Sequence, residues 1–343
     1  MSADGCLKGG CIGCVVAAAL LGAAAVVVGL VISSADPPEP EPVSRRMAQP
    51  LPEAPAAPSA PEAPASMPAE APPGAPSSTT GSSQDGPQAV ELGSASWTSA
   101  AAEGIVRVNV DAGSLRLEVG EPNQEIELFA DYDEARFRVE ESLHQIEGEP
   151  WLYRLRVDGK GGVFGLPWQG GRAPELRLVL PRDRALALEI SLGAGESRFD
   201  LGGLWLTDVE MDLGPGDHWV SVLEPLAEPL PRLEVDASWG SIKTFSLGNA
   251  SPVYTNLRTS GGELVVDLGG AWRGDGEVDL RFGFGSCLIV LPDNARTEVL
   301  RANVQFGEKL LEGSTLEDSS LAEDAPTVGL KVSGTAGELT LKR

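Results

Sequence analysis

From Leu188 onward the chain restates one phrase, with apolar residues at every second position, a Gly-rich turn, and apolar residues at every second position again. Aligned on one glycine per copy, the phrases are EISLGAG ending at Gly195, EMDLGPG at Gly216, EVDASWG at Gly240, NLRTSGG at Gly262 and DLRFGFG at Gly285. Two weaker copies, RANVQFG at Gly307 and KVSGTAG at Gly337, follow. The first six glycines are 21, 24, 22, 23 and 22 residues apart, and the last gap, 30 residues, holds an acidic insertion. A near-constant period of this length marks a stack of similar coils, each burying its apolar face against its neighbours.

Strand side chains alternate faces, so the register inside a copy is set by residue parity. Ile190, Met211, Val235, Leu257, Leu280, Ala302 and Val332 stand five residues before the anchor glycines. Leu192, Leu213, Ala237, Thr259, Phe282, Val304 and Gly334 stand three before. Phe199, Val220, Thr244, Val266, Ile289 and Leu341 stand four after, with Leu311 in the sixth copy. These columns are the expected buried face. Glu189, Ser191, Asp212, Glu234, Asp236, Glu263, Asp267 and Arg281 lie between them, as a wet outer face requires. At roughly 3.3 Å per residue, a coil of this length closes a circuit of two or three short strands with corners. Glycine is the natural corner residue, because it takes positive φ at little steric cost.

The sequence therefore predicts an all-β chain whose residues 181–343 form a single-stranded right-handed β-solenoid with coils of about 22 residues. Residues 96–180 read as a less regular β-rich part: GIVRVNVDAGSLRLEVG resembles an opening coil, and IELFA, ARFRVE, WLYRLRVDG and PELRLVLP follow. One echo ties the two parts together. VLPRDRALALEISLGAG matches LPDNARTEVLRANVQFG, with Pro181 and Pro292 standing 14 and 15 residues before their anchors. The GxG pairs at 193/195, 214/216 and 283/285 are not a nucleotide fingerprint, since that motif opens a helix and here strand-like runs such as HWVSVL and SCLIVL follow.

The remainder of the chain is built differently. All 18 aromatic residues lie from Trp97 onward, so a conventional core is confined to that part. Residues 11–32, CIGCVVAAALLGAAAVVVGLVI, form an uncharged apolar run long enough to cross a bilayer core of about 30 Å as a helix. It is expected to be a transmembrane anchor; a cleavable signal peptide processed near Ser33 or Ala35 is the alternative, although its apolar segment would be unusually long. Residues 1–10 are then a short cytoplasmic head and the β-domain is extracytoplasmic, in a single-pass cell-membrane protein. Residues 33–95 are expected to be a disordered linker, since residues 36–95 hold 15 prolines, 12 alanines and no aromatic residue.

From Ser96 the chain has 41 acidic and 23 basic residues, a net charge of −18. Nucleic acid is excluded as an expected partner, because phosphate binding needs a basic surface, and anionic lipid or polyanionic wall polymer is disfavoured for the same reason. No catalytic, cofactor-binding or metal-binding residue is expected. The two histidines, His144 and His218, fall in unrelated contexts, and His218 shares a column with Ser197, Ile242, Leu264, Cys287 and Leu339 two residues after the anchor. Both His218 and Cys287 are therefore predicted core residues. Cys6, Cys11 and Cys14 cluster at the start of the apolar run, where acylation, helix pairing, plain packing or metal binding are the readings, the last disfavoured because three thiolates lack a nearby fourth ligand. Asp212 and Asp236 share an outward column and would be neighbours on adjacent coils about 4.8 Å apart. A cation pair site, an acid–base pair and a solvated row are the alternatives there. The stretch DGKGGVFGLPWQGGR, residues 158–172, interrupts the β pattern with Phe164, Leu166 and Trp168 among glycines; it reads as a partner contact or as a cover for an open end of the coil stack.

The run LEISLGAGESRFDLGGLWLTDVEMDLGPGDHWVSVL, echoed by VDLRFGFGSCLIVLP, resembles the toast-rack, or adhesin-like, β-solenoid family that includes LiaF-like bacterial envelope proteins. The resemblance covers about 180–310 well and 96–180 loosely. It implies a membrane-associated protein without enzymatic activity, and the LiaF-like branch implies modulation of an envelope-stress sensor kinase. This chain has one N-terminal apolar run and a long linker where LiaF-like proteins carry several membrane helices, and the resemblance carries over no catalytic residue. The expected function is a non-enzymatic, membrane-anchored envelope module acting through an envelope protein partner. A binder of surface glycan or another extracellular ligand is the alternative.

Overall fold

Parallel pairing of strands one repeat apart organises the chain. The computed structural model describes residues 43–51, 102–160, 172–312 and 321–343, which form one sheet of 16 strands. The first seven are β1 (Val43–Gln49), β2 (Gly104–Val110), β3 (Gly113–Val119), β4 (Ile126–Tyr132), β5 (Phe137–His144), β6 (Trp151–Gly159) and β7 (Glu175–Leu180). Four short strands follow: β8 (Ala185–Leu192), β9 (Gly195–Asp200), β10 (Trp205–Leu213) and β11 (Gly216–Ser221). Five long ones complete the sheet: β12 (Arg232–Phe245), β13 (Tyr254–Asp267), β14 (Gly276–Val290), β15 (Arg296–Glu312) and β16 (Thr327–Lys342). The all-β class is as the repeat predicts; among the described residues the helical content is one 3-10 turn, Leu247–Asn249.

Each level of the stack has two arms, which from the β2–β3 level onward meet at an anchor glycine. In stacking order the levels are β6 with β7, β2 with β3, β8 with β9, β10 with β11, and then β12, β13, β14, β16 and β15, each of these five bending through both arms. The N-terminal end is closed differently. β5 and β4 lie antiparallel on β6 and β7, and β1 lies antiparallel on β4.

The predicted columns are the core. Ile190, Met211, Val235, Leu257 and Leu280 are buried, as are Phe199, Val220, Val266, Ile289 and Leu341. A further column seven before the anchor, Leu188, Val209, Leu233, Thr255, Val278 and Leu330, is buried as well. Each fully buried aliphatic side chain contributes roughly 1.5–3 kcal/mol. The third side of the circuit is irregular, and Leu226, Leu230, Leu247, Leu268 and Trp272 fill it. Its backbone is tied from level to level: Gly248 N–H donates to Gly269 O at 2.8 Å, and Asn249 Nδ2 donates to Val222 O at 2.8 Å while its Oδ1 accepts from Ala271 N–H at 2.9 Å.

The corner is held by a ladder of glycines. Gly113, Gly195, Gly216, Gly240, Gly262, Gly285, Gly337 and Gly307 all have positive φ, between 115° and 157°. A Cβ on Gly195, Gly216, Gly240, Gly262, Gly285, Gly337 or Gly307 would collide with the carbonyl oxygen of the glycine one level before it. Gly113 adds an anchor in the first half of the domain that the repeat alignment, starting at Gly195, did not include.

The structure departs from the sequence reading in two places and extends it in a third. The copy at Gly337 is stacked between those at Gly285 and Gly307, so spatial order and chain order part at the C-terminal end. Side-chain fit explains this: Gly334 lies beside Phe282, and a Cβ there would strike the phenyl ring, so β16 leaves the room that β14 needs. β15 suits the end position, since its residue two after the anchor is Lys309, which is exposed where interior levels bury Leu115, Ser197, His218, Ile242, Leu264, Cys287 and Leu339. An inward-pointing charge on an edge strand discourages addition of further strands. Second, part of the predicted linker is a strand. β1 pairs seven residues with β4, held by Arg45–Glu134 at 2.5 Å and Arg46–Glu127 at 2.9 Å, because its alternation and two arginines match an acidic strand edge. Third, the two echoing segments perform one task. The chain passes through Pro181 from the β6–β7 level to the β8–β9 level, leaping the β2–β3 level, and through Pro292 from β14 to β15, leaping β16. Each crossover is pinned to the level it leaps, by Gly120 N–H to Leu180 O at 2.7 Å and by Leu291 N–H to Lys342 O at 2.8 Å.

The predicted membrane span 11–32, the rest of the 33–95 linker and the apolar residues of the 158–172 loop lie outside the described residues. Among those described, no helix is long and apolar enough to cross a membrane. The glycine ladder makes a direct test. Gly262→Ala combines a φ of 115° with a carbonyl clash and is expected to cost on the order of 2–4 kcal/mol. Gly274→Ala meets open space and should stay within about 0.5 kcal/mol. Urea unfolding midpoints of the two variants decide the matter, and equal shifts would remove the ladder from its role.

Candidate functional site

The outer face of the first arm follows the column four before each anchor. In stacking order this column is Asn109, Ser191, Asp212, Asp236, Arg258, Arg281, Ser333 and Asn303. Asp212 and Asp236 are register partners on adjacent levels, as predicted. Burial raises the Asp236 pKa above its ordinary 3.8; Arg258 pulls it down, and Glu234, Asp212 and Glu210 push it up. Arg258 contacts Asp236 at 3.5 Å and Glu234 at 3.6 Å, so the acidic end of the column is answered on the next level. Beside it, Arg232 gathers Asp208, Glu210 and Glu234 at 2.9–3.1 Å. The carboxylates of this face are therefore largely engaged by arginines across the levels.

A groove of about 630 Å³ runs along this face between Asp212 and Asn303, lined also by Ser238, Ser260, Gln305 and Arg301. Ser238 Oγ and Arg258 Nε, two polar atoms in it, are buried without a hydrogen-bond partner. Its lip is the residue just before each anchor, and there Trp239, Phe284 and Phe306 are exposed, Phe306 to 72%. In stacking order the lip reads Trp239, Gly261, Phe284, Ala336, Phe306, so a large ring alternates with a small residue. Gly261 leaves the room the Trp239 ring occupies. Aromatic side chains on every second level, about 9.6 Å apart, form a contiguous apolar ridge. The sequence alignment contained this column, but the anchor glycines drew attention to the inward positions instead.

Of the predicted contacts, Asp212 and Asp236 belong to this groove, whereas Phe164, Leu166 and Trp168 lie outside the described residues. The flanks of their loop are described: β6 ends at Gly159 and β7 begins at Glu175, the two arms of one level.

His218 and Cys287 are in the core, as their column predicts. The structure adds a partner for the histidine. Ser197 Oγ lies 2.9 Å from His218 Nδ1, and His218 Nε2 lies 3.0 Å from Gly214 O. A carbonyl only accepts, so Nε2 carries the proton and Nδ1 accepts from the serine hydroxyl, which describes a neutral imidazole. Ser197 and His218 are each 1% exposed, so this pair reaches no substrate. Sequence spacing could have paired them, since both stand two after their anchors on consecutive copies. Burial raises the Cys287 thiol pKa to about 12. Among the described residues no group of three or more His, Cys, Asp or Glu is arranged to hold a metal ion.

Two outcomes follow from this core chemistry. Burial lowers the His218 pKa below 6.5, outweighing the Gly214 carbonyl and Asp217, which raise it. The unfolded chain thus binds that proton first. The stabilising contribution is complete well above pH 6.5 and is lost as pH falls through 6.5 toward the lower folded value. Urea midpoints of wild type should drop from pH 7.5 to pH 5 by more than those of His218→Leu, and parallel curves would exclude the histidine as the cause. Cys287 should resist a membrane-impermeant thiol reagent until the domain is unfolded, and rapid labelling of native protein would contradict this register.

Comparison with known proteins places this architecture. The family described as the N-terminal domain of toast_rack, DUF2154, matches residues 79–230. That segment reaches further into the irregular first half than the glycine resemblance did, and it takes in the levels from β6–β7 to β10–β11. The crystal structure of a putative cell adhesion protein from Clostridium sporogenes ATCC 15579 is similar at 15% identity and a TM-score of 0.38, covering 71% of this chain and 94% of that one. At that distance the likeness decides neither fold nor function. No curated protein matches. Over residues 79–230 the chain is thus similar to the toast-rack N-terminal family, the likeness that the glycine repeat and its alternating columns imply.

Proposed function

We propose that this chain is a non-enzymatic, membrane-anchored cell-envelope protein whose coil stack serves as an interaction module, regulatory or scaffold-like, for an envelope protein partner. Residues 11–32 form the single-pass anchor in this reading, with the N-terminus cytoplasmic and the β-domain outside. The stack is right-handed, as parallel crossovers in one sheet are in about 98% of cases. The observation that carries the reading is the exposed ridge of Trp239, Phe284 and Phe306 beside a polar groove. Rings of this size cost solvation when left in water, and desolvated aromatic and arginine side chains supply most of the energy of protein interfaces. Arg258, Arg281 and Arg301 flank the ridge. The non-enzymatic part rests on the carboxylates being held by arginines and on the serine–histidine pair being sealed in the core.

Binding of surface glycan is the second reading, favoured by one feature: Ser238, Ser260, Asn303 and Gln305 offer hydroxyl and amide groups in the groove. A photocrosslinking residue placed at Trp239 or Phe284 in the intact membrane protein separates the two. A protein adduct that falls at least tenfold with Phe284→Ser and Phe306→Ser, at unchanged unfolding midpoint, supports the partner reading. Adducts with wall or surface polymer support the glycan reading, and the absence of both sinks this face as an interaction site.

A further inference from the structure

The outer face of the second arm carries a row that chain order conceals. Strand register places Arg46 opposite Phe129, Phe129 opposite Arg177, Arg177 opposite Arg116, Arg116 opposite Arg198, Arg198 opposite Trp219, and Trp219 opposite Lys243. Seven consecutive positions on neighbouring strands thus hold five cations and two aromatic rings, in a domain whose net charge is −18. Arg46 and Arg177 sandwich the Phe129 ring at 5.3 and 4.0 Å, and Arg198 lies 5.0 Å from the Trp219 ring. Planar guanidinium groups on aromatic faces keep their edge N–H donors free for other acceptors.

The centre of the row is short of ion-pair partners. Arg46 has Glu127 and Lys243 has Glu263, but Arg116 and Arg177 share Glu118, and among the described residues Arg198 has no ion-pair partner. Like charges directly opposite one another on adjacent strands destabilise a sheet. Three such arginines in succession, Arg177, Arg116 and Arg198, are therefore a cost that the fold does not require. They line a groove of about 450 Å³ together with Phe129, Ser114, Asp131, Glu175 and Glu196.

We propose that this row is a binding strip for a linear acidic polysaccharide. Neighbouring strands are about 4.8 Å apart, close to the advance of an extended pyranose chain per ring, so one acidic group per sugar can meet one cation per strand. Arginine binds carboxylate or sulfate bidentately, and the ring faces of Phe129 and Trp219 suit the C–H faces of sugars at either end of the arginine triplet. The surrounding acidic surface does not forbid this. Asp131 and Glu175 in the groove are paired with Arg172 at 3.5 and 2.7 Å, which among the described residues leaves Glu196 as its carboxylate without an ion pair, and at physiological ionic strength the Debye length of about 8 Å screens carboxylates farther off. The strip lies on the opposite arm from the aromatic ridge and stands or falls independently of it. β1 completes the strip with Arg46, which gives the docking of that N-terminal segment a use.

The test is titration of the full-length chain, in detergent, with oligogalacturonate of about ten units, neutral dextran of equal length and a single-stranded oligonucleotide of equal charge. Oligogalacturonate should bind, with affinity falling as salt rises; Arg116→Gln with Arg198→Gln should weaken it at least tenfold, and Trp219→Ala severalfold, at unchanged unfolding midpoints. Lys342→Gln, a cation outside the row, should leave binding unchanged. Absence of binding at low salt, equal binding of dextran, or indifference to the arginine substitutions would overturn the strip, and a preference for the oligonucleotide would overturn the polysaccharide as its ligand.

Discussion

Each corner of the stack rests on a carbonyl oxygen lying where the next glycine would carry its Cβ. That contact fixes three things together. It forces glycine at the position, because both the positive φ and the space exclude any side chain. It sets how closely successive corners approach, so both arms can pair in parallel from the same point. And it locks residue parity on each side, since a slip by one residue would move every apolar side chain to the wet face. The alternating columns are thus a consequence of the corner as much as a cause of burial: Ile242, Leu264, Cys287 and Leu339 face inward because Gly240, Gly262, Gly285 and Gly337 are superposed.

The ends of the stack obey a different constraint, because an outermost level has a neighbour on one side alone. At both ends the chain leaps a level and a strand from elsewhere in the sequence fills the gap. β2–β3 is enclosed by β6–β7 and β8–β9, and β16 by β14 and β15. β16, which follows β15 in the chain, is consequently interior, with Val332, Leu339 and Leu341 packed on two sides, while the more polar β15 takes the edge. The N-terminal end is closed by antiparallel strands, and Glu141 of β5 links to both Tyr153 and Gln49 of β1, tying the first arm to the added strand.

Periodicity made the interior legible. The columns at five before, three before, two after and four after the anchor needed only parity and a fixed period, and they placed His218 and Cys287 in the core without any tertiary information. What the sequence concealed depended on contacts between unlike copies. The fit of Phe282 over Gly334 decides that β16 precedes β15 in space, and neither residue signals this alone. The seven residues of β1 alternate too briefly to stand out from a proline-rich surrounding, and their recognition requires Glu127 and Glu134, some 80 to 90 positions later. The aromatic ridge was present in the alignment, but exposed positions obey no packing rule, so nothing in the pattern distinguished Trp239 from Ala194.

The same reasoning explains why net charge does not describe each surface. A total of −18 from Ser96 onward describes the far field of the domain, whereas a solenoid sorts side chains into rows whose composition is set column by column. Asp208, Glu210 and Glu234 converge on Arg232, which offsets one of their three charges and fixes the carboxylates in place on the first arm's outer face. On the second arm, Arg116, Arg177 and Arg198 come from segments separated by the β4–β6 excursion and are brought into one line by the leap through Pro181. A crossover that serves to close the end of the stack thereby also concentrates cations that the sequence keeps apart. Surface chemistry in this fold is a product of topology, and composition alone does not predict it.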